Sequence, residues 1–405
     1  MKALPLACKI KRVLQAFTLG VVATQSCRLG SIALALRPLG QAASQYRRLQ
    51  RFLANPRVEI ATLQDAWIQQ VLTSLKLSEL RLLVDETKLS DHLSVMVVGV
   101  AVKDGCIPVV WRCYSPEQYP VEGQVQLIAA LVARVLCHCP DQRFWLLADR
   151  GIGTSPALIR AVEGLGVRVF FRVQGTTRFR DAQGKETSLK NRAAPAQEWQ
   201  SYGDVFKKNG WLRLHVATVW EAGYAQPWCL VSSTAIDPRA YGQRFQQEVG
   251  FRDLKSDGFG WHLSHIWQPD HAERLLLVLT VAYFLVYSLG VRLPRPTRGR
   301  GSRLSVFRRG LDAIRDLTHP SILPLLPHPP PVTLHVSCSE ARRGGLLRRW
   351  RPDLSRAAYG DSYLTPGPSP SGEGVFAAGD VRPEPCGLRG KPPQPRPLSE
   401  RRGGF

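Results

Sequence analysis

The first 58 residues contain no aspartate or glutamate, yet they carry ten lysines and arginines. A segment of one charge sign, with nothing internal to neutralise it, suits contact with a polyanion. The chain also lacks any Cys-x-x-Cys pair, although cysteines stand at 8, 27, 106, 113, 137, 139, 229, 338 and 386. That spacing argues against a zinc ribbon or a regular disulfide framework and fits a reducing, cytoplasmic setting. The LCHCP run at 136–140 reads as the packed end of an apolar helix rather than a metal-ligand set. No convincing small-x-small cleavage signal follows the apolar run Val13–Ala23, which argues against an export or transit peptide. Long apolar runs are scarce too. LLLVLTVAYFLVYSLGV, 275–291, barely reaches bilayer-spanning length and contains Thr, Ser and two Tyr. It reads as a buried helix of a soluble domain, and no membrane partner is expected.

What the chain does have is size and positive charge. Its 405 residues are 44% hydrophobic and include ten Trp, enough for two or three domains and a sizeable core. A net charge of +22 and a pI near 10.1 point to a polyanionic partner such as nucleic acid. Residues 1–75 read as a basic helical region, with apolar positions every three or four residues and a break at Asn55–Pro56. Within it SQYRRLQRFLAN, 44–55, sets Tyr46, Leu49 and Leu53 on one side and distributes Arg47, Arg48 and Arg51 around the rest. Those three arginines are candidates for phosphate contact.

From about residue 76 the period changes. RLLVDETK (81–88), LSVMVVGVAVKDG (93–105) and IPVVWRCY (107–114) are β-rich runs separated by short polar or glycine-containing turns. A helix at 122–139, a strand at 143–150, a helix from Ser155–Pro156 to about Gly164 and a strand at 167–173 follow. This order predicts a mixed α/β sheet over 76–295, with helices returning the chain to parallel neighbours. Residues 174–234 are polar and turn-rich, with strand-like pieces at 211–220 and 227–234, and read as a β-rich insertion. Beyond it composition shifts: 18 of the 30 prolines lie in 291–405, beside arginine clusters. Residues 296–405 are therefore expected to form a Pro/Arg-rich, largely disordered tail.

Three carboxylates stand out by position. Asp85 follows the apolar run of the first strand, Asp149 follows that of the fourth, and Glu248 lies on the helix expected after the insertion. Residues at the carboxyl ends of adjacent strands gather at one edge of an open α/β sheet. Two Asp and one Glu there need cations, and oxygen-liganded Mg²⁺ is the expected solution, in a pair of ions that serves phosphoryl transfer. Around Glu248 the segment YGQRFQQEVGFRDLK adds a pattern. As one continuous helix it would bring Tyr241, Arg244, Glu248 and Lys255 to within about 60° of each other.

These residues resemble those of the DDE transposases of bacterial insertion sequences, in the insertion-sequence-four type whose signature is Tyr, two residues, Arg, three residues, Glu, six residues, Lys. Tyr241, Arg244, Glu248 and Lys255 match that spacing, and VDETK around Asp85 and LADRGIG around Asp149 resemble the sequences about the family's two catalytic aspartates. The resemblance covers about 80–295 and implies an RNase H-like fold and cut-and-paste DNA transposition. It implies that Asp85, Asp149 and Glu248 are catalytic and hold Mg²⁺ or Mn²⁺, two ions, and that Tyr241, Arg244 and Lys255 bind DNA. The implied partners are double-stranded DNA, as terminal inverted repeats and target, and a second copy of the chain in a homodimer. The implied location is the bacterial cytoplasm, at the nucleoid. Hairpin-forming members stack a flipped base on an aromatic residue; Trp228 and Trp220 are read here first as packed residues. Two other functions stand beside this one: a decayed transposase that binds DNA without cutting it, and another RNase H-like nuclease.

Overall fold

The computed structural model describes residues 6–294, apart from 76, 140 and 236, and residues 304–317. Four amphipathic helices open the chain: α1 (Cys8–Thr24), α2 (Leu29–Ala35), α3 (Ala42–Leu53) and α4 (Ile60–Leu75). In α3 the buried positions are Gln45, Leu49, Phe52 and Leu53, one helical face, and Tyr46 turns outward, contrary to the expectation for it.

Next comes a meander of β1 (Glu79–Ser90), β2 (Leu93–Val102) and β3 (Gly105–Tyr114). The turn from β2 to β3 is tight because Asp104 takes a left-handed conformation, φ +57°, which short polar side chains tolerate. Helix α5 (Gly123–Leu136) then leads to β4 (Arg143–Ala148), and α6 (Arg150–Gly153) with α7 (Pro156–Glu163) leads to β5 (Arg168–Val173). These two crossovers make β1, β4 and β5 parallel, whereas β1–β2 and β2–β3 are antiparallel. Strand β2 is buried at nine of its ten positions, so after Ser94 its sequence shows a nearly continuous apolar run instead of alternation.

The insertion does not form a separate sheet. Its strands β6 (Arg178–Arg180), β7 (Glu186–Ser188), β8 (Glu198–Val205), β9 (Leu212–Val219) and β10 (Trp228–Ser232) extend the same one, in the order β3-β2-β1-β4-β5-β10-β9-β8-β6-β7. The sequence signalled only β9 and β10. Strand β8, EWQSYGDV, is mostly polar and half exposed, and its strand character comes from eight paired positions with β9.

After a 3₁₀ segment at Pro238–Arg244 and α8 (Phe245–Leu254), the long helix α9 (Pro269–Arg292) runs through the core. Every residue from Leu275 to Phe284 is buried, and α9 packs on β3, α1, α3 and α4. It is long and apolar enough to cross a membrane, but 78% of its apolar window is buried inside the protein. The expectation of a core helix therefore holds. Arg274 on α9 donates to the carbonyls of Val58 and Leu53, and the Cys27 amide donates to the Phe259 carbonyl, so the N-terminal helices share one core with the sheet.

Helix α10 (Val306–Leu317) docks on α9 and buries Val306, Phe307 and Leu311. This helix lies within the stretch 296–405 expected to be largely disordered, where the proline bias hid an amphipathic pattern with apolar residues at 306, 307, 311 and 314. The rest of the expected tail lies outside the described residues.

Candidate active site

The register of β1 with β4 builds the site. Val84 pairs with Ala148, so Asp85 and Asp149, one residue further along each strand, stand side by side at the carboxyl edge. Side chains alternate along a strand, which puts Asp85 on the same face as Leu83 and Asp149 on that of Leu147. Leu83 and Leu147 belong to a small apolar cluster with Trp145, Phe170, Cys106 and Tyr241. The two aspartates therefore face the 3₁₀ segment and α8.

Each aspartate commits one oxygen to the backbone and turns the other toward a common centre. Asp85 Oδ1 accepts from the Glu86 amide at 2.9 Å, and Asp149 Oδ1 caps α6, accepting from the Gly151 and Ile152 amides at 3.0 and 3.1 Å. At the centre lies the Arg244 guanidinium. Its Nη2 is 2.8 Å from Asp85 Oδ2 and 4.0 Å from Asp149 Oδ2, and its Nη1 is 3.8 Å from Glu248 Oε1. The three carboxylates singled out in the sequence thus converge on one side chain. Asp85 and Arg244 are the deep members, with side chains 18% and 4% exposed; Asp149 and Glu248, at 45% and 62%, open the site to solvent. Burial pushes the Asp85 carboxyl up to about 6 against the pull of Arg244, with Asp149 adding to the rise.

The other signature residues hold the frame. Tyr241 is buried; its hydroxyl donates to the Ala148 carbonyl at 3.0 Å, and its ring packs edge-on against Phe170 and Trp228. Lys255 lies beyond the end of α8 with ψ −99°, so the segment 241–255 is not one helix: the 3₁₀ turn gives way to an α-helix that stops at Leu254. Its Nζ nevertheless reaches back to Thr87 Oγ1 at 2.6 Å and the Lys88 carbonyl at 3.3 Å, pinning the part of β1 just after Asp85. Gly250 suits a tight packing point, since a Cβ there would sit 3.0 Å from the Cys106 carbonyl oxygen and 3.2 Å from its Cβ. It lets α8 lie directly on β3, which fixes the height of Glu248 above the sheet.

Sequence reasoning missed Thr87, the seat for Lys255, and Gln247, whose Oε1 accepts from Cys106 Sγ at 2.8 Å between α8 and β3. Neither residue type signals such a role. Trp228 packs on Tyr241 and Phe245, whereas the Trp220 indole donates to the Tyr224 carbonyl in the β9–β10 loop. Arg47, Arg48 and Arg51 are exposed on α3, which packs chiefly on α1, α2 and α9. The Cys137–Cys139 run closes α5, where Arg134 and His138 both contact Asp65 of α4.

A donor set of three carboxylates, without thiolate or imidazole, suits a hard divalent cation. Among the described residues, however, no three His, Cys, Asp or Glu side chains are grouped closely enough to hold a metal ion as they stand. The guanidinium occupies the space between the oxygens.

A mixed α/β sheet in which the parallel pairing of β1 with β4 stops just before two aspartates, faced by a helix-borne glutamate, is the RNase H-like architecture expected of a DDE domain. Consistent with it, a family model described as Transposase DDE domain matches residues 118–285. The matched stretch is about two fifths of the chain and holds Asp149 and Glu248, while Asp85 lies ahead of it. The match supports a DDE transposase, an enzyme class that acts on DNA and generally uses divalent metal ions. No curated protein matches the chain.

Proposed function

We propose that the chain is a cut-and-paste DNA transposase of the insertion-sequence-four type, which cleaves at the ends of its element and joins them to target DNA. The observation that carries this reading is the convergence of Asp85, Asp149 and Glu248 on one point at the carboxyl edge of β1 and β4. Asp85, Asp149 and Glu248 would hold Mg²⁺ or Mn²⁺, which when bound supplies activation of the attacking oxygen and stabilisation of the leaving one. Tyr241 and Lys255 keep the ends of β4 and β1 in place. Exposed Arg47, Arg48 and Arg51 offer cations to the phosphates of double-stranded DNA, and none pairs with a carboxylate among the described residues. Work on terminal inverted repeats in a homodimer belongs to the same proposal.

Nicking of a duplex carrying the element's ends, with Mg²⁺ or Mn²⁺ present, tests it. Asp149→Asn is expected to lower the rate by a factor of about 10²–10³, the size of effect that follows loss of one electrostatic contributor to an active site. Undiminished cleavage by this variant would remove Asp149 from the chemistry. A second reading, DNA binding without cleavage, draws on the guanidinium that fills the carboxylate centre. Metal-independent binding of the ends by the parent protein, with no nicks, would favour it. Preference for an RNA–DNA hybrid over duplex DNA would point to another RNase H-like nuclease.

A further inference from the structure

Arg244 is an unusual ion-pair partner. It is 3% exposed, yet its Nε and Nη1 have no hydrogen-bond acceptor, and only one of its three carboxylate contacts is short. A guanidinium serving as a permanent structural lock usually binds carboxylate through two parallel hydrogen bonds and leaves no donor unanswered, because an unsatisfied buried donor is costly. Here the contacts at 3.8 and 4.0 Å are too long to be hydrogen bonds. The side chain compensates charge more than it fastens geometry. Without it, Asp85 and Asp149 would stand on neighbouring strands with Glu248 above them and no cation between them, an arrangement of like charges that repels itself.

The guanidinium is 4% exposed and has three carboxylates around it. What it faces is the place where a cation bound by those carboxylates would lie.

We propose that Arg244 is the resident counter-ion of the carboxylate site: it holds Asp85, Asp149 and Glu248 together in the metal-free protein and competes with a divalent cation for them. This inference rests on reading the three acids as metal ligands. The role it gives Arg244 is that of a positioning residue, and it makes metal affinity a compromise between an assembled empty site and a tight filled one.

The test is Mn²⁺ binding to the full chain without DNA, followed by electron paramagnetic resonance of the free ion, with folding checked by circular dichroism. Arg244→Gln is expected to tighten Mn²⁺ binding by about tenfold or more, because it removes a positive charge a few ångströms from the ion. It is also expected to lower Tm without metal and to gain more in Tm from saturating Mn²⁺ than the parent does. Equal or weaker Mn²⁺ binding by Arg244→Gln overturns the proposal. Should that variant fail to fold, Arg244→Lys takes its place: an ammonium is a point charge that cannot face three carboxylates at once, so about threefold tighter binding is expected. Equal or weaker binding there is equally fatal. Asp149→Asn separates the two ideas. If it binds Mn²⁺ as the parent does, the metal-ligand reading fails; if it loses Mn²⁺ while Arg244→Gln leaves affinity unchanged, only the counter-ion role fails.

Discussion

Asp253 offers a quantitative test of how α8 is held. It is 4% exposed, and its Oδ2 accepts a long 3.4 Å contact from the Tyr283 hydroxyl of α9. Burial pushes its carboxyl from 3.8 to about 7, with Arg252 and Arg308 pulling down and Asp257 pushing up. Since the folded value lies above the unfolded one, the folded protein retains a proton that the unfolded chain gives up between these two values. The cost of folding Asp253 is therefore absent below about pH 4, grows as pH rises, and is complete above about pH 7. At about 1.36 kcal/mol per unit, a gap of about 3 units sets the full cost near 4 kcal/mol, of which about 3 kcal/mol develops between pH 5 and 8.5. Asp253→Asn keeps the side chain's shape and removes the ionisation. In urea unfolding followed by Trp fluorescence at pH 5 and 8.5, the variant should gain about 3 kcal/mol on the parent over that interval. All other titrating groups, Asp85 included, cancel in the comparison. Parallel stability-against-pH lines for the two proteins would refute the reasoning.

Two further outcomes follow from packing. At the crossing of α9 and α10, a Cβ on Gly290 would lie 1.9 Å from the Val306 carbonyl oxygen, and one on Gly310 would lie 2.0 Å from that of Val286. Gly290→Ala should cost at least about 1–3 kcal/mol and expose α10 to proteolysis, whereas Gly30→Ala, whose Cβ meets nothing, should be neutral or slightly stabilising in the same thermal melts. An unchanged Tm for Gly290→Ala would show that the two helices are not in this contact. Tyr241→Phe deletes the donor to the Ala148 carbonyl and should lower stability by about 1–3 kcal/mol before any DNA is added. A loss seen only in DNA binding, with Tm intact, would mean that this hydroxyl faces the nucleic acid instead.

The legible parts of the sequence are those in which local chemistry repeats the tertiary answer. Apolar runs that stop at Asp85 and Asp149 could be read as the edge of a parallel pair because that is where an acid can meet solvent and its neighbours; the β1–β4 pairing does stop there, at Val84 and Ala148, although β1 itself runs on to Ser90 beside β2. The 241–255 stripe was legible for a subtler reason. Its first turn is 3₁₀, with three residues per turn, so Tyr241 and Arg244 still superpose; α8 then carries Arg244 to Glu248 by the ordinary i to i+4 step. Only Lys255 arrives by another route, a turn after Leu254 that swings its ammonium back to Thr87. What could not be read was which way Arg244 faces. An arginine on a polar helix face normally lies in solvent, and no local pattern around 244 opposes that. The decision is electrostatic and non-local: two strands far apart in sequence deliver two carboxylates to one edge, α8 adds a third above them, and the nearest cation is drawn inward at the cost of two unanswered donor nitrogens. A stripe read from the sequence as one helical face is thus, in its middle, the charge balance of the site.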